Sequence, residues 1–312
     1  MQNIKIFACP TAEKFTEEIC KELGLEMGKM DSFKFQNDNT FVQFKETVRD
    51  QDVYIVQTTE PPVNERAMEL LITLDAAKRA SPRRITVVMP YYIYSRSDKK
   101  DQPRIPVTAK LMAKLIETAG ANRVLTCDLH NSAIQAYFEI GVDQLTARDL
   151  LIKYFKNKKL DNIVVVAPDA GSSKKSYKYA ERLDCKIAMI DKRREDNNDK
   201  AISTNVVGNV KGKTCLIFDD EIVTGGSIIE TARVLKENGA KDIYVGITHG
   251  ILAGSAIEKI KESEFKEIVV TNTVPVGIEK QIDKIKVLSI APLFAEGIKR
   301  INEGKAMGEL FS

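Results

Sequence analysis

The chain has 312 residues, of which 43% are hydrophobic and 29% are charged, a composition typical of a globular protein. Its 47 basic and 44 acidic side chains leave a net charge of +3, too small to indicate a nucleic-acid partner. No apolar run approaches the length of a membrane span, and the length of the chain predicts two domains.

Short β-rich runs alternate with helical patterns along the chain. The first run, Ile4–Ala8, predicts a strand where a secreted protein would have its signal peptide. We expect Thr11 to cap the helix that follows and Gly24 to end it. A second helix is predicted over 65–79, and further strands over 53–57, 84–91, 123–127, 162–167, 186–190, 214–218, 243–247 and 266–271. This alternation predicts an α/β fold with parallel sheets.

The cysteines argue against an extracellular protein. They are odd in number and far apart, and no Cys/His grouping resembles a zinc site. They are Cys9, Cys20, Cys127, Cys185 and Cys215. Most lie in apolar strand or helix patterns, which predicts small buried side chains and a cytoplasmic protein.

Two segments of the chain repeat one pattern at a constant offset. Gly120 leads to His130 as Gly239 leads to His249, and the helical patterns before the two glycines also align. We therefore predict two copies of one α/β unit, over 1–146 and 147–289. The tail from about 290 to 312 would be free to pack back on the first copy. Only the second copy has an acidic, glycine-rich loop, so we expect the two copies to have different functions.

The most informative segment is 218–227, Phe-Asp-Asp-Glu-Ile-Val-Thr-Gly-Gly-Ser, between an apolar strand and a helical pattern. In an open parallel sheet, ligands bind at the carboxyl ends of the strands. A glycine-rich turn into a helix presents backbone N–H groups and a positive dipole end, which suits phosphate. The carboxylates of Asp219 and Asp220 suit instead the paired hydroxyls of a ribose, or Mg²⁺. The segment therefore favours a pentose phosphate site over the alternative, an acidic turn before an ordinary capped helix.

Other candidate residues lie at the ends of predicted strands. His130 and Asp169 each follow a strand. His130 can contact a metal or phosphate, with a structural role as the alternative, and Asp169 can supply an oxygen ligand to Mg²⁺. Lys192 and Arg194 follow a strand and precede a polar, asparagine-rich segment. A closing lid and a solvated charge run are both compatible with that pattern. Arg96, among tyrosines, can stack on a nucleobase or bind phosphate.

The 218–227 segment resembles the phosphoribosyl-pyrophosphate (PRPP) binding motif of type I phosphoribosyltransferases and of ribose-phosphate pyrophosphokinases. Over essentially its whole length the chain resembles the ribose-phosphate pyrophosphokinase (PRPP synthetase) family. The other stretches that carry this resemblance are 48–57, 68–72, 125–130, 191–194 and 248–250. The resemblance implies two tandem phosphoribosyltransferase-like domains. It also implies transfer of the β,γ-diphosphoryl group of ATP to the C1 hydroxyl of ribose 5-phosphate, giving PRPP and AMP.

The resemblance further implies a role for each candidate residue. Lys192 and Arg194 match cations that stabilise the transferring group, and His130 and Asp169 match Mg²⁺ contacts. The positions for ribose 5-phosphate are Asp219, Asp220, Val223, Thr224, Gly225, Gly226 and Ser227. The positions for ATP are Phe35, Asn37, Asp38, Asn39, Arg96 and Ser97. The resemblance also implies a homo-oligomer, a hexamer with sites between its subunits.

Several positions depart from the family pattern. Asn39 stands where the family usually has Glu, Ser97 where it has Gln, and Val223 where it has an acidic residue. Residues 171–175, Gly-Ser-Ser-Lys-Lys, replace Gly-Gly-x-Lys-Arg, and Glu221 replaces Met. The first two changes weaken expected nucleotide contacts, whereas backbone N–H binding of phosphate survives the change at Val223.

Three functions are compatible with these residues. The leading hypothesis is an active PRPP synthetase, because the lid cations, the metal contacts and both loop aspartates are present. The second is a non-catalytic paralogue that joins PRPP synthetase hetero-oligomers and regulates them, which the departures favour. The third is a phosphoribosyltransferase that consumes PRPP, which the loop fits but the duplicated domain does not.

Overall fold

The computed structural model describes residues 3–194 and 202–311, and the side chains of these residues except those of 192–194 and 202–204. The chain forms two compact units. The first comprises Met1–Thr146, Asn272–Pro275 and Ser289–Ser312, and the second Ala147–Thr271 and Val276–Leu288. The predicted α/β class is confirmed, because each unit has a mostly parallel sheet and helices.

The first unit is built on a five-stranded parallel sheet. The strands of the unit, inside and outside this sheet, are β1 (Ile4–Ala8), β2 (Met30–Lys34), β3 (Thr40–Phe44), β4 (Asp52–Val56), β5 (Arg84–Met89), β6 (Arg123–Cys127) and β7 (Gly141–Leu145). Its helices are α1 (Glu13–Leu23), α2 (Val63–Arg79), α3 (Thr108–Ala119) and, near the C-terminus, α8 (Ala291–Glu303). The sheet has the order β1-β4-β5-β6-β7, and β2 and β3 form a separate antiparallel hairpin.

The second unit is built on a seven-stranded sheet. Its strands are β8 (Ile163–Ala167), β9 (Lys186–Arg194), β10 (Ile202–Val207), β11 (Thr214–Ile222), β12 (Asp242–Gly250), β13 (Glu267–Thr271) and β14 (Ile285–Leu288). Its helices are α4 (Arg148–Asn157), α5 (Ser173–Leu183), α6 (Gly226–Glu237) and α7 (Ala256–Glu262). The order is β10-β9-β8-β11-β12-β13-β14, and all neighbours are parallel except β9 and β10.

Helix α8 is part of the first unit although it lies far along the chain. The ring of Phe294 packs edge-on against Phe15 of α1, with centroids 5.6 Å apart. The side-chain amide of Asn302, just inside the end of α8, donates to the buried carboxylate of Asp52 at 2.8 Å. Apolar and polar contacts together therefore fix α8 to the first unit.

Some local expectations are wrong. Thr11 does not cap α1: it lies in a short 3-10 turn, Pro10–Ala12, where proline starts the turn early, and its hydroxyl donates to the Thr58 carbonyl at 3.4 Å. Gly24 does end α1, in the left-handed region at φ +65°. Strands β2, β3, β7, β10 and β14 are not predicted from the sequence.

Two global expectations can be compared with the structure. No helix in the described ranges, 3–194 and 202–311, is long and apolar enough to cross a bilayer. All five cysteines are free thiols and four of them are buried, as their apolar sequence surroundings predict.

Candidate functional site

The acidic pair lies near the carboxyl end of β11, in the middle of the second unit's sheet. Asp219 and Asp220 belong to the strand itself, because β11 continues beyond the predicted end. The backbone N–H of Asp220 donates to the Asp219 carboxylate at 2.9 Å, and Lys175 Nζ on α5 lies 3.3 Å from Asp220 Oδ1. Burial, and then the neighbouring Asp220, raise the pKa of Asp219 to about 7, which Lys175 opposes. A half-buried carboxylate pair of this kind attracts a cation or hydroxyl donors.

Asp169 reaches the same edge of the sheet from the next strand. Strands β8 and β11 are parallel neighbours in which Val166 is opposite Ile217, and each aspartate, Asp169 and Asp220, lies three residues further along. Asp169 Oδ1 accepts from the backbone N–H of Ser172 at 2.8 Å, at the start of α5. The strand register therefore brings the predicted metal contact and the acidic pair to one side of the sheet.

The donor chemistry at this edge fits Mg²⁺. Carboxylate oxygens are the protein ligands that Mg²⁺ prefers, and the ion usually keeps several waters. Within the described part of the chain no three His, Cys, Asp or Glu side chains converge into a preformed metal cluster. An ion bound here would therefore complete its shell with water or substrate oxygens.

The glycine turn leads from β11 into α6. Gly225 is the N-cap residue of α6 and has φ +75°, a conformation that favours glycine. The carbonyl of Val223 accepts from Ala253 N–H at 2.8 Å, which holds the turn from outside. Thr224, Gly226 and Ser227 are exposed. Because the first N–H groups of a helix have no intrahelical partner, the turn offers an open anion site.

Four predicted ATP residues share the turn of the β2–β3 hairpin. The backbone N–H of Phe35 donates to the Asn39 carbonyl at 2.9 Å, and Asn37 Oδ1 accepts from Asn39 N–H at 3.3 Å. Asp38 has φ +66°. The ring of Phe35 is half exposed and packs 5.7 Å from that of Phe41. The hairpin thus presents an exposed aromatic face beside exposed amide groups.

The other predicted ATP residues follow β5. Arg96 is exposed, whereas Ser97 Oγ accepts from the Thr108 N–H at 3.4 Å, where α3 begins. His130 is exposed after the neighbouring strand β6, and its backbone N–H donates to Ser95 Oγ at 3.1 Å. The first unit therefore brings Arg96, Ser97 and His130 to the carboxyl ends of two adjacent parallel strands.

Lys192 and Arg194 lie within β9 and not after it, contrary to the expectation from the sequence, because β9 continues beyond the predicted end at residue 190. Their backbones pair with those of Thr204 and Ile202 in β10. Their side chains, and the polar segment predicted to follow them as a lid, lie outside the described residues. Their catalytic role remains a prediction.

Sequence reasoning assigned no role to Lys175, a cation that contacts the acidic pair. The available signal was the Lys174-Lys175 pair, at the place where the resemblance leads one to expect Lys-Arg. The contact itself joins residues 45 positions apart and depends on how α5 packs on the sheet.

A parallel sheet whose acidic strand end leads through a left-handed glycine into a helix defines an α/β protein of the phosphoribosyltransferase type. Residues 4–120 match the family model for the N-terminal domain of ribose phosphate pyrophosphokinase, and 197–312 that for the phosphoribosyl synthetase-associated domain. The ribose-phosphate pyrophosphokinases of Clostridium acetobutylicum and Bacillus subtilis are 48% and 45% identical to this chain. The two alignments cover 99% and 100% of this chain, respectively, and 98% of the length of each relative.

A solved structure agrees with these matches. The crystal structure of phosphoribosylpyrophosphate synthetase from Mycobacterium smegmatis superposes with a TM-score of 0.92 at 39% identity, over 97% of this chain and 100% of that one. The chain therefore belongs to the ribose-phosphate pyrophosphokinase family and is an enzyme of PRPP synthesis. Family membership does not support the third hypothesis, a phosphoribosyltransferase that consumes PRPP.

Proposed function

We propose that this chain transfers the β,γ-diphosphoryl group of ATP to the C1 hydroxyl of ribose 5-phosphate, with Mg²⁺ as the metal, to give PRPP and AMP. The observation that carries the proposal is the end of β11, where an acidic pair continues into an open glycine turn. One strand end thus offers an acceptor site for hydroxyls and a donor site for phosphate.

Ribose 5-phosphate is bound in two parts. Its phosphate accepts from the N–H groups of residues 224–227 at the positive end of α6, and its ring hydroxyls donate to Asp219 and Asp220. Val223 needs no charged side chain for this, because its carbonyl bond to Ala253 fixes the turn and the backbone supplies the donors. The C1 hydroxyl is then oriented by groups that belong to one rigid strand and one helix.

The metal and nucleotide residues complete the assignment. We assign Asp169 and the acidic pair in the second unit, and separately His130 in the first unit, as residues that would contact Mg²⁺, which when bound neutralises charge on the transferring phosphates. The hairpin residues Phe35, Asn37, Asp38 and Asn39, with Arg96 and Ser97, bind ATP. Lys192 and Arg194 stabilise the transferring group, since phosphoryl transfer depends mainly on positioning and charge neutralisation. We also propose a homo-oligomer, a hexamer by family resemblance.

The test is AMP formation by the purified chain from ATP and ribose 5-phosphate with Mg²⁺ and inorganic phosphate. We expect AMP only when ribose 5-phosphate is present, and a loss of roughly 100-fold in Asp219→Asn. The matched control is Asp184→Asn, because Asp184 is exposed and its left-handed φ of +52° suits asparagine.

Two outcomes would contradict the proposal. A folded chain that binds ribose 5-phosphate but forms no AMP would favour the second hypothesis, the regulatory paralogue. Equal activity in the two asparagine variants would remove Asp219 from the substrate site.

A further inference from the structure

The loop after β5 carries two buried polar residues on either side of Arg96 and Ser97. Ser95 and Asp98 are only 2% and 5% exposed, although Arg96 between them and Lys99 after them face solvent. Burial of a carboxylate is costly unless it is hydrogen-bonded. The hydrogen bonds of Asp98 and Ser95 therefore show which segments these two buried residues hold together.

Both residues join this loop to the loop after β6. The side-chain amide of Asn131 donates to Asp98 Oδ2 at 2.8 Å, and the Tyr137 hydroxyl donates to the Asp98 carbonyl. The His130 N–H donates to Ser95 Oγ at 3.1 Å. The Arg96–Ser97 segment is thus tied at both of its ends to the segment that presents His130.

The partner amide is itself fixed. Asn131 Oδ1 accepts from the backbone N–H of Ala133 at 3.0 Å and so caps the 3-10 helix that follows. With its oxygen engaged there, the amide nitrogen is directed to Asp98. A carboxylate, which only accepts, matches that donor.

The other end of the loop is held in an unfavourable conformation. Tyr94 has φ +58°, which is rare for a bulky side chain and persists only where surrounding contacts enforce it. Its hydroxyl donates to Asn64 Oδ1 in the first turn of α2, and its carbonyl accepts from Ser97 N–H at 2.9 Å. Strain of this kind is typical of segments that position functional groups.

We propose that Asp98 and Ser95 are positioning residues that fix Arg96–Ser97 relative to His130, so that the nucleotide contacts and the metal contact are set together. The inference rests on the proposed function, which places ATP at Arg96 and Mg²⁺ at His130. It adds that Mg²⁺ and ATP bind cooperatively because one hydrogen-bonded pair, Asp98–Asn131, joins their two loops.

The experiment measures equilibrium binding of ATP to the full chain with and without Mg²⁺, by calorimetry, in Asp98→Ala, Asn131→Ala and the double variant. We expect each single variant to weaken Mg²⁺-dependent ATP binding roughly tenfold, and the double variant to add less than twofold. Ribose 5-phosphate affinity should stay unchanged within twofold. The matched control is Asp101→Ala, an exposed carboxylate three residues along the same loop.

Conservative variants keep the test decisive if the alanine variants fold poorly. Asp98→Asn retains an acceptor oxygen and should recover most of the ATP affinity, whereas Asn131→Asp sets two carboxylates together and should lose it. Ser95→Ala should reduce the difference in ATP affinity with and without Mg²⁺ and should not unfold the chain.

Several results would overturn the inference. Equal ATP binding in the Asp98→Ala and Asp101→Ala variants would do so, as would independent, multiplying losses in the double variant. A parallel loss of ribose 5-phosphate binding would show a general structural role. Failure of the unmodified chain to bind ATP at all would refute the proposed function together with this inference, whereas normal binding with no effect of Asp98 would refute the inference alone.

Discussion

The left-handed glycine of the turn before α6 gives a prediction whose size follows from the structure. Gly225 has φ +75°, and a Cβ there would lie 3.4 Å from Ile229 Cδ1, an ordinary contact. Holding an alanine in the left-handed region costs about 1–2 kcal/mol. Alanine also lowers the conformational entropy of the unfolded chain, which offsets about 0.4–1 kcal/mol of this cost. We therefore expect Gly225→Ala to destabilise the fold by about 1 kcal/mol, a net of these two effects.

The next residue is the matched control. Gly226 begins α6, has no left-handed φ, and a Cβ there would meet nothing within 4 Å. Gly226→Ala should therefore stabilise the chain by about 0.5–1 kcal/mol, as glycine-to-alanine changes in helices do. The same glycine-to-alanine change at two adjacent positions should thus move the free energy of unfolding in opposite directions, and the two variants should differ by about 2 kcal/mol.

Urea unfolding monitored by circular dichroism, with calorimetric titration of ribose 5-phosphate, checks this. Gly225→Ala should also weaken ribose 5-phosphate binding at least about tenfold, because relief of the strain turns the helix N–H groups away from the phosphate. Gly225→Asn should recover part of the stability, since asparagine tolerates the left-handed region. Equal unfolding free energies for the two alanine variants would refute the reasoning.

Three further predictions concern carboxylates and cations. Burial raises the pKa of Asp219 to about 7, so the folded chain keeps a proton that the unfolded chain releases above about pH 4. Stability should then fall as pH rises between these values, and urea titrations from pH 5 to 8 should give a flatter profile for Asp219→Asn. Lys175→Ala should weaken ribose 5-phosphate binding at pH 7 by roughly three- to tenfold, because Lys175 opposes the rise in the pKa of Asp219 and so favours its charged form. Lys174→Ala should leave this binding unchanged. Identical ribose 5-phosphate titrations of the two variants would exclude Lys175 from the site. Asp52→Ala should cost about 3 kcal/mol of unfolding free energy, because two arginines and an asparagine lose a buried partner, whereas the exposed Asp50→Asn should be neutral. A neutral Asp52→Ala would show that those partners find water instead.

Strand β11 shows where local patterns are sufficient and where they are not. The apolar run from Thr214 predicts the start of the strand correctly, and the glycine pair predicts the start of α6. The continuation through Asp219 and Asp220 follows from pairing with β12, whose register reaches Glu221 opposite His249. Acidic residues have low strand propensity, so the local sequence does not predict this extension, which depends on pairing with the neighbouring strand.

The β2–β3 hairpin was missed for a related reason. No residue of β2 or β3 is fully buried, so neither strand presents the buried alternating face that marks a strand in sequence. The aromatic residues at its turn could be recognised as candidate ligand contacts only through family resemblance. Likewise, the Asp98–Asn131 bond joins residues 33 positions apart and has no local signal.

The departures from the family pattern can be interpreted through the contacts of the changed residues. Asn39 lies in an exposed hairpin turn, where its backbone makes the turn hydrogen bonds, so its side chain can change without cost to the fold. Ser97 has a local structural contact, since its hydroxyl accepts a hydrogen bond from the backbone N–H of Thr108 in the first turn of α3. The changes at Asn39 and Ser97 therefore leave the framework intact, and under the proposed function their effect would be on nucleotide affinity. By contrast, strand register fixes the position of the acidic pair, whereas the turn at Gly225 depends on a backbone conformation that few residues adopt. A change at Gly225 would therefore alter the fold and the proposed ribose 5-phosphate site together.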